Sequence, residues 1–138
     1  MRLSTRGEYG LRTMVELAAA YGDGPVSLNQ IAKSENISLA YLEQLIAVLR
    51  RIGLVESVRG AHGGYQLAMA PDKISVGDVV RALEGPIAPV DCVVEGKEGH
   101  CGRETACATR SVWVNLRDRM TEALDSVTLA DLKQQSCS

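Results

Sequence analysis

The sequence predicts a mainly α-helical fold that carries one two-stranded β-hairpin and ends in a long amphipathic helix. Apolar residues recur at helical spacing in several segments. A stretch near the middle of the chain instead contains two short apolar runs separated by glycines, which is typical of a β-hairpin. The chain has 138 residues, of which 46% are hydrophobic and 23% charged. These values are typical of one compact globular core.

The first helix is predicted over residues 5–21. Thr5 followed by Glu8 matches the capping box, in which a hydroxyl and a carboxylate satisfy free N–H groups at a helix start. One apolar face then follows at helical spacing: Leu11, Met14, Val15 and Ala18. The GDGP stretch at 22–25 breaks the helix.

Two further helices are predicted close together. Ser27 with Gln30 forms a second capping box, and Asn36 can end that short helix in a left-handed turn. Ser38 caps a third helix, LAYLEQLIAVLRRIG, which Gly53 closes. Two short helices joined by a turn of about four residues predict a helix-turn-helix, whose second helix can enter the DNA major groove.

A β-hairpin is predicted in LVESVRGAHGGYQLAMAP, directly after the third helix. Two short strands are marked by apolar residues, namely Leu54, Val55, Val58, Tyr65, Leu67 and Met69. The glycines at 60, 63 and 64 are expected to supply positive φ angles in the loop. A helix-turn-helix followed by a hairpin is a winged helix, with Arg59 at the tip of the wing.

Polar and charged residues of this half predict a DNA-reading surface. Arg50 and Arg51 end the third helix and Arg59 starts the wing tip, where phosphates would lie. Side chains able to bond base edges are expected on the early, solvent-facing part of the helix, namely Ser38, Tyr41, Glu43 and Gln44. The alternative is a small helical bundle with a surface hairpin, in which Glu43 is a solvated carboxylate.

The C-terminal half predicts two more helices. Ser75 with Asp78 opens one that ends at Gly85. A long amphipathic helix from about Glu104 to Ser126 has an apolar stripe: Val112, Trp113, Leu116, Met120, Ala123, Leu124 and Val127. We expect this stripe to pack against a second copy of the chain, making a homodimer. The alternative is that the helix folds back across the first helix.

Three of the four cysteines lie within CVVEGKEGHCGRETAC, between the last two predicted helices. Cys92, Cys101 and Cys107 have the spacing C-x8-C-x5-C, without the C-x2-C pairs of structural zinc sites. In a reducing cytosol, clustered cysteines favour metal binding or redox chemistry over disulfides. Cys137, in a polar segment, is expected to be a free thiol.

The sequence gives less support to a membrane or secreted protein, an enzyme or an electron carrier. No run of about 18 apolar residues occurs, and the start MRLSTRGEYG lacks an apolar signal-peptide core, so a cytoplasmic protein without membrane contact is expected. The residues show no nucleophile–base pair, phosphate loop or paired catalytic carboxylates, so an enzyme is not expected. An electron carrier would leave the helix-turn-helix unexplained. The net charge of −2 favours no partner by itself.

Three segments, MRLSTRGEYGLRTMVELA, SLAYLEQLIAVLRRIGLVESVRGAHGGYQL and ISVGDVVRALEGPIAPV, closely resemble the IscR/CymR/NsrR family of bacterial winged-helix transcription regulators. The resemblance covers nearly the whole chain to about Leu132. It implies a homodimeric repressor that binds a pseudo-palindromic DNA operator, with the dimer held by the long helix. It also implies that Glu43 helps to read sequence and that Arg59 enters the minor groove.

The resemblance also implies a role for the cysteine segment. IscR and NsrR use three loop cysteines to bind an iron-sulfur cluster, here favouring [2Fe-2S] over [4Fe-4S]. IscR-like members supply a histidine as fourth ligand at the position of Arg110, so that ligand is missing here. His100 is one substitute, and Glu8 of a partner subunit is another, since NsrR-like relatives carry an acidic residue there. The alternative role of Glu8 is the capping box.

The leading hypothesis is therefore a DNA-binding regulator controlled by a cluster that senses iron-sulfur, redox or nitric oxide status. The N-terminal half is most similar to the CymR branch, which implies an alternative: cluster-free control of cysteine metabolism by thiol oxidation, zinc or a cysteine-biosynthesis enzyme. Three regions are predicted, a DNA-binding winged helix-turn-helix at 1–85, a cluster-binding loop at 86–107, and a dimerisation helix with its tail at 108–138.

Overall fold

The computed structural model describes residues 4–88 and 108–134. Within these ranges the chain forms six α-helices and one antiparallel sheet of two strands. The mainly α-helical fold and the winged helix predicted from the sequence are confirmed. No helix in the described part of the chain is long and apolar enough to cross a membrane.

Helix α1 spans Thr5–Ala19, so it ends two residues before the predicted limit. The predicted capping box of Thr5 and Glu8 is wrong, because Thr5 is already helical and Ser4 occupies the N-cap position. Ser4 makes no side-chain capping bond within α1. Its hydroxyl instead donates to the carboxylate of Glu84, which is 80 residues later in the chain.

The helix-turn-helix consists of α2 (Leu28–Glu35) and α3 (Leu39–Ile52). Both predicted N-caps are confirmed, since the Ser27 and Ser38 hydroxyl oxygens accept backbone N–H bonds at 3.2 and 3.1 Å. Asn36 ends α2 in the left-handed region with φ 55°. Because the next helix starts three residues later, the turn between α2 and α3 is short and fixed at both ends.

The wing consists of β1 (Val55–Val58) and β2 (Gly64–Leu67), with Val55 opposite Leu67. Of the three loop glycines, Gly60 and Gly64 have positive φ angles, at 114° and 155°. The expectation of positive φ at Gly63 is wrong. Gly63 is needed for another reason, because a Cβ atom there would overlap the Val58 carbonyl oxygen.

Helix α4 (Val76–Glu84) begins with the predicted capping box, in which Ser75 and Asp78 bond each other's backbone N–H groups at 3.0 Å. Helix α5 spans Arg110–Asp125. The prediction of a helix from about Glu104 is wrong at residues 108 and 109, which form a turn before α5, and residues 104–107 lie outside the described residues. Two elements were not predicted, a 3-10 helix at Pro71–Lys73 and the short α6 at Leu129–Gln134.

The main core is shared by α1 to α4, the wing and α6. Its fully buried side chains include Met14, Leu42 and Leu129. Leu129 belongs to α6, so residues near the end of the described chain complete the core of the winged helix. The predicted boundary between the cluster-binding loop at 86–107 and the dimerisation helix with its tail at 108–138 stays a prediction.

Helix α5 packs against α4 through its C-terminal half. A second cluster, made of Val76, Val80 and Ile87, is covered by side chains of α5 and the segment after it, including Met120, Leu124 and Val127. Arg81 of α4 also binds Asp125 of α5 through two bonds of 2.8 Å. These contacts fix the direction in which α5 leaves the winged helix.

Candidate functional site

The two faces of α3 differ sharply in character. Its apolar face is buried in the core through Leu42, Leu45, Ile46 and Leu49. Glu43 and Gln44 are exposed on the opposite face, and Arg50 and Arg51 are exposed in the last turn. The helix therefore presents hydrogen-bonding groups near its start and two cations at its end.

Ser38 and Tyr41 are placed differently from Glu43 and Gln44. The Ser38 side chain is exposed, but its oxygen is engaged in capping α3. Tyr41 is half-buried, and its ring packs edge-on against Tyr9 of α1 with centroids 6.3 Å apart. The expectation that all four side chains face solvent is thus wrong for Tyr41, because α1 covers it.

The wing places Arg59 directly after β1, where it is exposed. Across the hairpin, the Gln66 side-chain amide donates to the Glu56 carboxylate at 2.7 Å. Tyr65 also exchanges two backbone bonds of 2.8 Å with Val26, which precedes α2. The wing is thereby tied to the segment that leads into the helix-turn-helix.

Glu8 lies on the first turn of α1 and is exposed. Since the capping box is absent, its carboxylate is not engaged at the helix start. That start is held by Glu84, which accepts bonds from the Ser4 hydroxyl and from the Gly7 N–H, the latter at 3.0 Å. Sequence reasoning missed Glu84, because residues 77 positions apart give no local signal.

The four cysteines and His100 lie outside the described residues. Arg110 is the first residue of α5 and is half-buried. Within residues 4–88 and 108–134, no three His, Cys, Asp or Glu side chains are grouped so as to hold a metal ion.

The N-terminal half of α5 exposes apolar side chains. Val112 is 56% exposed and Leu116 is 40% exposed, and Trp113 beside them is half-buried. On another face of the same helix, Arg117 is only 6% exposed and binds Asp118 at 3.0 Å. The predicted stripe is therefore covered by α4 at its C-terminal end and left open at its N-terminal end.

A buried carboxylate that sequence reasoning missed lies where α1 packs on α2. Glu16 of α1 is half-buried, and its Oε2 atom is buried without a hydrogen-bond partner among the described residues. Burial together with Glu35, the last residue of α2, raises the pKa of Glu16 to about 7. Glu35 is also 3.7 Å from the Arg12 guanidinium. No spacing in the sequence links Glu16 to Glu35, since only the packing of α1 on α2 brings them together.

Comparisons with known proteins agree with this geometry. The model of the Rrf2 family, described as an iron-dependent transcriptional regulator, matches residues 3–135. The transcriptional regulator CymR of Bacillus subtilis is 51% identical over 132 residues, covering 96% of this chain and 89% of that protein. IscR of Aliivibrio salmonicida is 42% identical over 132 residues, covering 96% of this chain and 77% of that protein.

The solved structure of CymR, the global cysteine regulator of B. subtilis, matches the whole fold. Its TM-score is 0.83 at 48% identity, and the match covers 99% of this chain and 98% of that one. Both relatives are named helix-turn-helix transcriptional regulators. The chain therefore belongs to the Rrf2 family and is a DNA-binding transcriptional regulator rather than an enzyme.

Proposed function

We propose that the protein is a homodimeric cytoplasmic repressor that binds a two-fold symmetric DNA operator. The observation that carries this proposal is the exposed polar face of α3, with Glu43 and Gln44 near its start and Arg50 and Arg51 at its end. A helix seated in the major groove contacts base edges with such polar side chains. Cations at its end and at Arg59 on the wing neutralise phosphates or enter the adjacent minor groove.

The dimer interface in this proposal is the open part of the α5 stripe. Val112 and Leu116 are large apolar side chains that remain 56% and 40% exposed in a single chain. Burying them against the same helix of a second copy removes apolar surface from water, at roughly 25 cal/mol per Å². A two-fold axis through this contact would present two α3 helices to two operator half-sites.

The cysteine segment is the proposed sensing element. Cys92, Cys101 and Cys107 would supply three thiolates to an iron-sulfur cluster, for which we favour the [2Fe-2S] type. Thiolates are the soft ligands that such iron centres prefer, so the donor set fits the group. When bound, the cluster supplies a centre that oxidants or nitric oxide can alter.

A fourth ligand must come from elsewhere in the dimer. Arg110 cannot provide it, because a guanidinium stays protonated and has no free lone pair for iron. Glu8 suits the role because its carboxylate is exposed and free of the capping box. His100 is the remaining substitute, although its neighbour Cys101 makes binding of one iron by both residues difficult.

The second candidate function keeps the DNA binding and omits the cluster. It is favoured by the 51% identity to CymR, whose solved structure is described as the global cysteine regulator of its organism. In that case the thiols would respond to oxidation or bind zinc, or a cysteine-biosynthesis enzyme would bind the repressor. The two candidates differ in whether iron and sulfide are present.

Anaerobic purification from iron-replete cells tests the proposal. We expect a coloured protein that contains iron and acid-labile sulfide, and whose affinity for a duplex selected from random sequences changes after oxidation. Cys92→Ser, Cys101→Ser and Cys107→Ser should each abolish the colour, whereas Cys137→Ser is the matched control and should retain it. A colourless, iron-free wild-type protein that still binds the selected duplex would favour the second candidate.

A further inference from the structure

We propose that Leu39, the first residue of α3, recognises the C5-methyl group of a thymine in the DNA operator. It would be an apolar specificity-determining residue next to the polar side chains of Glu43 and Gln44. The inference rests on the proposed function and deepens it, because it names one base that the reading helix prefers.

The first turn of α3 presents apolar rather than polar side chains to solvent. The Ser38 hydroxyl oxygen is engaged by the Tyr41 N–H at 3.1 Å. Tyr41 is half-buried, and its hydroxyl oxygen is buried. Leu39 is 36% exposed, and Ala40 beside it is exposed as well. A molecule that meets the start of α3 therefore touches mainly Leu39, which can neither donate nor accept a hydrogen bond.

Leu39 differs from the leucines of α3 that build the core. Leu42, one turn later, and Leu49 are both fully buried. More than a third of the Leu39 surface stays in contact with water instead. A single exposed leucine is common at protein surfaces, so its significance lies in its position.

That position is the part of a helix-turn-helix that meets base edges. In this motif the first helix crosses the DNA backbone, and the N-terminal residues of the second helix enter the major groove. Here α2 has an open groove lined by polar side chains, including Asn29, Lys33 and Asn36. Such side chains suit contacts with phosphate and sugar. With α2 on the backbone, Leu39 enters the major groove at the start of α3.

The spacing between Leu39 and Glu43 predicts which base pair Leu39 meets. Residues four apart are neighbours on a helix surface, so the two exposed side chains lie side by side. The helix rises 1.5 Å per residue, which separates them by about 6 Å along its axis. Successive base pairs are about 3.4 Å apart. The base that faces Leu39 should therefore lie within about two base pairs of the base that Glu43 contacts.

Thymine is the base whose major-groove edge suits a leucine. All four bases present hydrogen-bonding atoms there, and thymine alone adds a methyl group. A leucine placed on a purely polar edge would displace water without replacing its hydrogen bonds, which costs free energy. Against the thymine methyl, two apolar groups leave water together. Burying one methyl group strengthens binding roughly fourfold.

The test replaces thymine by uracil, one position at a time and in both half-sites, in a duplex selected by this protein. Uracil keeps the hydrogen-bonding groups of thymine and lacks only the methyl group. We expect wild type to lose affinity at least about fourfold at one thymine. That thymine should lie within about two base pairs of the position at which Glu43→Ala relaxes base preference.

Three variants assign the effect to Leu39. Leu39→Ala should bind the thymine and uracil duplexes almost equally, whereas Leu39→Met keeps an apolar side chain of similar volume and should keep the preference. Ile52→Ala is the matched control, because Ile52 is 53% exposed at the opposite end of α3, and it should also keep the preference. Urea denaturation checks that all three variants are folded.

Two results would overturn the role of Leu39. In the first, uracil within the stated distance leaves wild-type affinity unchanged, or the selected duplex has no thymine there. In the second, Leu39→Ala prefers thymine as strongly as wild type does, so another group contacts the methyl. Failure of wild type to bind any selected duplex would contradict the proposed function as well, whereas tight binding without a thymine preference would contradict the role of Leu39 alone.

Discussion

Glu84, the last residue of α4, accepts a hydrogen bond of 3.0 Å from the backbone N–H of Gly7 in the first turn of α1. The same carboxylate accepts a bond from the Ser4 hydroxyl. A carboxylate placed at a helix N-terminus satisfies free N–H groups and is favoured by the helix dipole. Glu84 thus caps the start of α1 from the end of α4, a role that the sequence had predicted for Thr5 and Glu8.

Removing Glu84 should therefore destabilise the protein, whereas removing Glu8 should not. We expect Glu84→Ala to lower the free energy of unfolding by about 0.5–2 kcal/mol, the usual cost of losing an N-terminal cap. Glu8→Ala should stay within about 0.5 kcal/mol of wild type, as exposed substitutions usually do. Urea denaturation measures both values, and an equal loss for the two variants would contradict the assignment of the cap.

Glu8 also has an expected effect on the proposed iron-sulfur cluster. If its carboxylate binds iron in the dimer, Glu8→Ala should alter the visible absorption spectrum of anaerobically purified protein while leaving stability nearly unchanged. Arg110→His should also alter that spectrum, because imidazole is a metal ligand and guanidinium is not. Spectra of both variants that match wild type would exclude Glu8 as a ligand and leave His100 as the position to substitute next.

Glu43 and Arg51 should affect DNA binding in different ways. Glu43→Ala should relax base preference at one operator position, at a cost of about 1–3 kcal/mol against the preferred base. Arg51→Ala should weaken binding to all sequences alike and lower the salt slope by about one phosphate contact. Selection from random duplexes and salt titrations separate these effects. An unchanged base preference in Glu43→Ala would remove Glu43 from the readout.

The exposed apolar side chains at the N-terminal end of α5, Val112 and Leu116, should hold two copies of the chain together as a dimer. Leu116→Glu places a charge where the proposed interface is apolar, so the dimer should dissociate at micromolar concentration. Asn115→Glu, which adds the same charge to a neighbouring exposed position, is the matched control and should remain dimeric. Light scattering after size-exclusion chromatography measures both masses. A dimeric Leu116→Glu variant would show that the interface lies elsewhere.

The Arg81–Asp125 pair should stabilise the protein only while Asp125 is ionised. Arg81 holds the pKa of Asp125 below its ordinary value of 3.8, so the contribution is present above that pH and is lost as the pH falls below it. Both side chains are partly exposed, and we expect Asp125→Asn to cost about 0.5–1 kcal/mol near pH 7. The difference from wild type in urea denaturation should narrow near pH 3, and an unchanged difference would contradict the ionic origin.

The local features of this fold could be predicted from the sequence because their causes are local. The caps at Ser27, Ser38 and Ser75 each depend on residues three positions apart, and all three form as expected. The wing likewise follows from two apolar runs separated by glycines. The exposed polar face of α3 follows from helical periodicity once Leu42 and Leu45 are assigned to the core.

Contacts between distant segments required the tertiary structure. α6 is short, and its place in the core is decided by burial of Leu129 beside residues more than a hundred positions earlier, such as Met14. The half-burial of Tyr41 similarly depends on α1 lying over its ring.

The sequence by itself therefore determined helices α1 to α5, the two strands and the caps at Ser27, Ser38 and Ser75, because these depend on chemistry within a few residues. Only the tertiary structure decided that Glu84 caps α1 and that the apolar stripe of α5 is covered at one end. The physical reason is that capping and periodicity act between near neighbours. Buried contacts depend on which helix surfaces come together, and no spacing along the chain records that choice.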